Sequence, residues 1–112
     1  MMKETLPLSG NGQKIYYEKT SDFIKIQWGK AKFNISQDIV NSILKNYFID
    51  SKTWYILGAS MTNPTKDGLG EYIQKNFKSL TPRHASAIAA ILVSERILNT
   101  KELKPILLKK II

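Results

Sequence analysis

Thr81-Pro-Arg-His84 carries the only histidine of the chain beside one of its two arginines. The order of types reads as a helix start, with Thr81 as N-cap and Pro82 at the first helical position, where its missing N–H costs nothing. A helix start presents unpaired backbone N–H groups and a partial positive charge, and so attracts anions. Arg83 and His84 then occupy the second and third helical positions, where acids are the favoured residues. Cations there suit a site that receives an anion: the Arg83 fork and the open N–H groups would hold a phosphate, with His84 as a further donor. The plain alternative pairs Arg83 with a surface carboxylate and packs His84 under the preceding loop.

That loop runs from Gly58 to Gly70, Gly-Ala-Ser-Met-Thr-Asn-Pro-Thr-Lys-Asp-Gly-Leu-Gly, and offers Thr62, Asn63 and Lys66 to the same anion. It lacks the Gly-Lys-Ser/Thr of a P-loop, and Ile73 stands where a dinucleotide fingerprint needs its third glycine. A long polar connection between an apolar run and a helix is often functional, although Pro64 and Gly68 would also shape an ordinary surface turn. A second cationic strip, Lys25 and Lys32 with Gln27 and Asn34, alternates on one face of two adjoining segments. Sheet faces of this kind contact nucleic acid, and an ordinary solvated face has the same composition.

The remaining residue types exclude more than they suggest. One His and no Cys leave no Cys/His nucleophile, no disulfide and no metal cluster of standard spacing. The nine acids show no paired spacing next to a lysine of the kind a metal-dependent nuclease uses. No enzyme, cofactor or metal is expected. The formal net charge is +8, spread as +3 over residues 1–35, +1 over 36–80 and +4 over 81–112. Such an excess favours polyanions through counterion release, and it also serves solubility alone. The expectation is a non-catalytic nucleic-acid-binding domain, DNA ahead of RNA, with Thr62, Asn63, Lys66, Arg83 and His84 as the main site and Lys25 and Lys32 outlying. A protein-interaction or assembly module, homo-oligomeric or with another partner and anchored by Trp54, Tyr55 or Tyr72, is the second reading. A small-anion or ligand sensor is the third. No apolar run nears the roughly 20 residues of a membrane span, and no secretory signal is visible, so a cytoplasmic protein off the membrane is expected.

The elements that must position these residues give an α+β reading of one domain over residues 1–112, with 1–12 a loosely ordered leader. The expected architecture is a small antiparallel sheet packed against three to four helices. Its strands are an N-terminal hairpin or meander and a further strand near 53–57. Lys14 to Lys19 is a strand candidate. Phe23 to Trp28 and Ala31 to Ile35 alternate around Gly29-Lys30, which suits a type II′ turn and sets Trp28 against Ala31, Ile26 against Phe33 and Ile24 against Ile35. Ser36 caps a helix whose apolar stripe runs from Ile39 to Phe48, and that helix should end near Ile49. Further helices are expected over 68–78 and from Thr81 to about Leu98. That pair has the length of a helix-turn-helix, but residues 85–93 are almost wholly apolar, which favours phosphate positioning over base reading. The tail is open between a helix and a strand over Ile106–Ile112, because Pro105 is admissible in a helix only in its first turn.

Overall fold

The structure is a computed structural model that describes residues 2–10, 12–101 and 104–111. Four strands, β1 (Lys3–Thr5), β2 (Ile15–Lys19), β3 (Phe23–Trp28) and β4 (Ala31–Ser36), form an antiparallel meander in the order β1-β2-β3-β4. The β3–β4 register pairs Trp28 with Ala31, Ile26 with Phe33 and Ile24 with Ile35, as the alternation predicts. Gly29 supplies the positive φ (61°) at the first turn position and Lys30 none, the type II′ pattern. Ile15, Tyr17, Ile24, Ile26 and Ile35 fill the inner face of this sheet.

Ser36 caps α1 (Gln37–Ser42), its Oγ accepting from the Ile39 N–H at 3.1 Å. The helix then widens into a π turn over Ile43–Tyr47, closed by the Phe48 N–H on the Ile43 carbonyl at 3.2 Å. The wider turn lets consecutive rings, Tyr47 and Phe48, both face inward. They lie 4.9 Å apart; there Tyr47 meets Tyr55 and Tyr72 at centroid distances of 5.0 Å, and Phe48 meets Tyr55 at 5.2 Å. Strand β5 (Tyr55–Ile56) precedes the long loop, and α2 (Leu69–Asn76) follows it. α3 (His84–Ser94) is buried on almost every side: Ala85, Ala87, Ile88, Ala89, Ala90, Ile91 and Leu92 are all in the core. Ile88, Ile91 and Leu92 meet Ile24, Ile26 and Ile35 of the first sheet and Val40 of α1, and each such aliphatic side chain contributes about 1.5–3 kcal/mol on burial.

The chain finishes with β6 (Leu98–Lys101) and β7 (Leu107–Lys110), which join β5 in a second antiparallel sheet ordered β5-β7-β6. This corrects the expected single small sheet under three to four helices. Among the described residues there are seven strands in two antiparallel sheets and three short helices, an arrangement still broadly α+β. Two segments account for the difference. Lys3–Thr5, in the segment read as a loose leader, pairs with β2. The helix starting near residue 81 ends at Ser94 instead of about Leu98, because Leu98 is needed across from Lys110 in the second sheet. The tail is therefore the strand of the two alternatives. Among the described residues no helix is long and apolar enough to cross a membrane.

One polar cluster ties the first sheet to the end of α3. The Glu95 carboxylate accepts from the Tyr17 hydroxyl at 2.7 Å, from Lys3 Nζ at 3.0 Å and from Lys19 Nζ at 3.3 Å. The Tyr17 hydrogen bond, with the two ammonium groups, holds the Glu95 carboxyl at about 2 instead of its ordinary 4.5. The folded value lies below the unfolded one, so on acidification the unfolded chain takes up this proton first. The stabilisation is complete above about 4.5 and gone once pH has fallen past about 2. Glu95→Gln should lower stability near pH 7 by about 1–2 kcal/mol, discounted for solvent screening. It should also flatten the dependence between pH 4.5 and 2. Urea melts of both proteins across that range check the slope.

Candidate nucleic-acid interface

The start of α3 completes its own hydrogen bonding. The N–H groups of His84, Ala85 and Ser86 donate to the carbonyls of Thr81, Pro82 and Arg83 at 3.0, 3.0 and 3.1 Å, a tight turn leading into the helix. The Thr81 N–H donates to His84 Nδ1 at 2.9 Å, with the Thr81 hydroxyl 3.0 Å from the same nitrogen. Thr-x-x-His thus supplies one half of a capping box, with the imidazole in place of the usual Glu reaching back to the Thr81 N–H. That bond requires Nδ1 unprotonated, so the proton of the neutral ring sits on Nε2. The ring is half-buried and stands edge-on to Phe33 at 4.7 Å, and burial lowers its pKa from 6.5. The N–H groups of His84, Ala85 and Ser86 are therefore engaged, and His84 Nδ1 faces the Thr81 N–H as an acceptor.

The loop before α2 is closed in the same way. Gly70 N–H donates to the Leu57 carbonyl at 2.9 Å, Gly68 N–H to Thr65 at 2.9 Å, and the Asp67 N–H to Glu71 Oε1 at 3.0 Å. The Asp67 hydrogen bond keeps the Glu71 carboxyl below its ordinary value, and the Lys75 and Lys66 charges add to the effect. Tyr47, a phenol kept neutral by burial, donates to the Asp67 carbonyl at 2.9 Å and pins the loop to the core. Gly70 is dictated by close approach, since a Cβ there would collide with the Gly58 carbonyl oxygen. The helix start thus holds its own carboxylate. Thr62, Asn63 and Lys66 lie exposed at the loop, and the Asn63 N–H is bonded to Ser60 Oγ at 3.1 Å.

Arg83 stands apart from this self-sufficiency. Its guanidinium lies over the Trp28 indole, 4.9 Å from the ring centroid, and is exposed, with no ion pair among the described residues. Trp28 ends β3 on the inner face between Ile15 of β2 and Ala31 of β4, whose single methyl leaves the indole little covered on the β4 side. Around the pair opens a cleft of about 620 Å³, walled by Pro7, Ser9, Gly12 and Gln13 on one side and by the turn Gly29-Lys30 on another, with Ala59 and Ser86 completing it. Among the described residues it holds two cations, Arg83 and Lys30, and no acidic residue. The loop reaches this cleft only through Ala59; Thr62, Asn63 and Lys66 are not among its walls.

The other expected residues lie elsewhere. Lys25 and Lys32 face outward from the first sheet, away from α3. Lys25 sits across from Glu18, and Glu4 shares the row of Lys32, Gln27 and Tyr16. That face mixes both signs. Trp54, Tyr55 and Tyr72 are half-buried: the tyrosines stack on Tyr47 at 5.0 Å, and Trp54 lies under Lys101 and Lys109 at 4.4 and 4.7 Å. Trp28, Lys30 and Gln13 were missed by sequence reasoning. The signal was there for Trp28 alone, an aromatic set against alanine at the turn end of a hairpin. Among the described residues no group of three or more His, Asp and Glu is placed to hold a metal ion. No protein-family model matches the chain, and neither does any curated protein or solved structure.

His84 should titrate below 6.5 and carry its neutral proton on Nε2, both readable from imidazole nitrogen shifts. Its folded pKa lies below the unfolded one, so this residue leaves stability untouched above 6.5. Below that, stability falls with pH until the folded ring itself protonates and its bond from the Thr81 N–H opens. A ring titrating above 6.5 in the native protein would contradict this geometry.

Proposed function

We propose that the protein is a non-catalytic nucleic-acid-binding domain that contacts phosphates through Arg83 and Lys30 at the Trp28 cleft, with DNA ahead of RNA. The observation that carries this reading is the exposed guanidinium over an indole, 4.9 Å from the ring centroid, in a cleft with no acid among the described residues that line it. Stacking fixes the plane of the guanidinium while its N–H edge stays available for bidentate phosphate contact. Gln13 and Ser86 add neutral polar groups on the same walls. The net charge of +8 supplies the long-range attraction. Direct base reading by α3 is not part of the proposal, because that helix lies in the core. Lys25 and Lys32, on the mixed-charge outer face, contribute weakly, and Thr62, Asn63 and Lys66 serve as a peripheral contact.

Fluorescence anisotropy with a labelled duplex and with single-stranded DNA and RNA tests the reading. Arg83→Ala should weaken duplex binding roughly fivefold at low salt and reduce the magnitude of the log–log salt slope by about one, the signature of one lost phosphate contact. Lys30→Ala should act in the same direction, and Lys25→Ala should change little. Absence of binding at low salt, or affinity unmoved by Arg83→Ala, would overturn the assignment.

A further inference from the structure

The second arginine, Arg96, occupies a position where helices usually place glycine. α3 ends in a Schellman motif: the Ile97 N–H donates to the Leu92 carbonyl at 2.9 Å and the Arg96 N–H to Val93 at 3.0 Å, with Arg96 in the left-handed region at φ 62°. Glycine enters this conformation freely, whereas a side chain there is disfavoured sterically. A disfavoured backbone held by a charged residue invites a search for what the side chain does. The Arg96 side chain lines a cleft of about 500 Å³ between the π turn and the start of β6. Lys45 and Lys110 line it too, and among the described residues no acidic one does. Glu95, next in sequence, is already saturated by Tyr17, Lys3 and Lys19. Lys110 is fixed by donating to the Leu44 carbonyl at 3.0 Å, and its ammonium keeps donors to spare. The rest of the lining is Asn41 and an aliphatic wall of Leu44, Ile97 and the exposed Ile111.

We propose that this cleft binds a small amphipathic anion, a carboxylate or phosphomonoester head on an apolar body, with Arg96, Lys45 and Lys110 around the head and Leu44, Ile97 and Ile111 along the body. Three cations on one rim call for a negative head. The aliphatic wall, which a nucleic-acid backbone would leave facing water, calls for an apolar body. The volume falls in the range of small-molecule sites, about 300–1,000 Å³. A cation near a helix C-terminus is favourable in itself, so the test must separate that role from binding.

Arg96→Gly does so, because glycine adopts this φ without steric cost while the guanidinium and its stem are removed together. The ¹⁵N-labelled full chain is titrated with octanoate, octyl phosphate, 1-octanol and inorganic phosphate. Saturable shifts confined to the amides of Leu44, Lys45, Arg96, Ile97 and Ile111 are expected with the two octyl anions, and binding at least about tenfold weaker with octanol or phosphate alone. Arg96→Gly should melt at the same temperature or higher yet bind octanoate about tenfold more weakly, and Arg96→Asn, also tolerant of this backbone, should behave alike. Arg83→Ala should leave octanoate binding unchanged, which keeps this site separate from the nucleic-acid cleft. The proposal is overturned if octanol binds as well as octanoate, if the shifts spread over the surface, if Arg96→Gly binds like the parent, or if no octyl anion binds.

Discussion

The fold is organised by a helix that water must not reach. Seven of the eleven residues of α3 are in the core, and they point in every direction around its axis. A helix apolar on all sides has no solvent face and must be covered from several directions. The four-stranded meander and α1 cover one flank through Ile24, Ile26, Ile35 and Val40, while α2 and β6 contact it elsewhere. The alanines, four of the eleven, have no long side chains to hold these layers apart. The second sheet, built from short strands, completes this cover, and its short β5 is joined to the core by the Tyr47–Phe48–Tyr55 ring cluster.

A buried helix confines polar chemistry to its ends, and both ends of α3 are unusual. A cation stands at its start and an acid at its C-cap, the reverse of what the dipole favours. Each is accommodated by a specific partner. Arg83 spreads over Trp28, and Glu95 takes three donors from β1 and β2. The Glu95 cluster thereby makes the strand nearest the N-terminus part of the fold. The same logic places both arginines of the chain at clefts lined by no acid among the described residues, one beyond each end of the helix. Charge has gathered there because the body of α3 has no room for it.

What the sequence revealed depended on how local the determining physics was. The β3–β4 hairpin was legible to the residue, since alternation and a Gly-first turn are both short-range signals that agree. The Ser36 cap was legible for the same reason. β1 and β6 were not: Lys3–Thr5 and Leu98–Lys101 carry no alternating apolar pattern, and each is a strand only because a partner strand lies alongside. The end of α3 was hidden too, because its left-handed terminator is Arg96 and not glycine. The π turn at Ile43 leaves the apolar spacing of an ordinary helix almost intact, so nothing in the stripe marks it.

At the site, charge counting and hydrogen-bond counting pointed in different directions. Two cations at a helix start suggested a vacant anion receptor, a reading in which the side chains repel the dipole and wait for a ligand. The spacing Thr-x-x-His carried a second meaning that charge alone conceals: an acceptor three residues after a threonine satisfies that threonine's N–H. A neutral imidazole is such an acceptor, and the burial that keeps it neutral also removes it from the count of cations. The long loop repeats the lesson with Glu71, which fills the start of α2 from within. Once both helix starts are closed, Arg83 is the member of Thr81-Pro-Arg-His84 left to face solvent, and its orientation is set by Trp28, a residue from a different element that no local motif connects to it. The proposed phosphate contact therefore rests on side chains brought together by the packing of the first sheet against α3, and not on the backbone of a helix terminus.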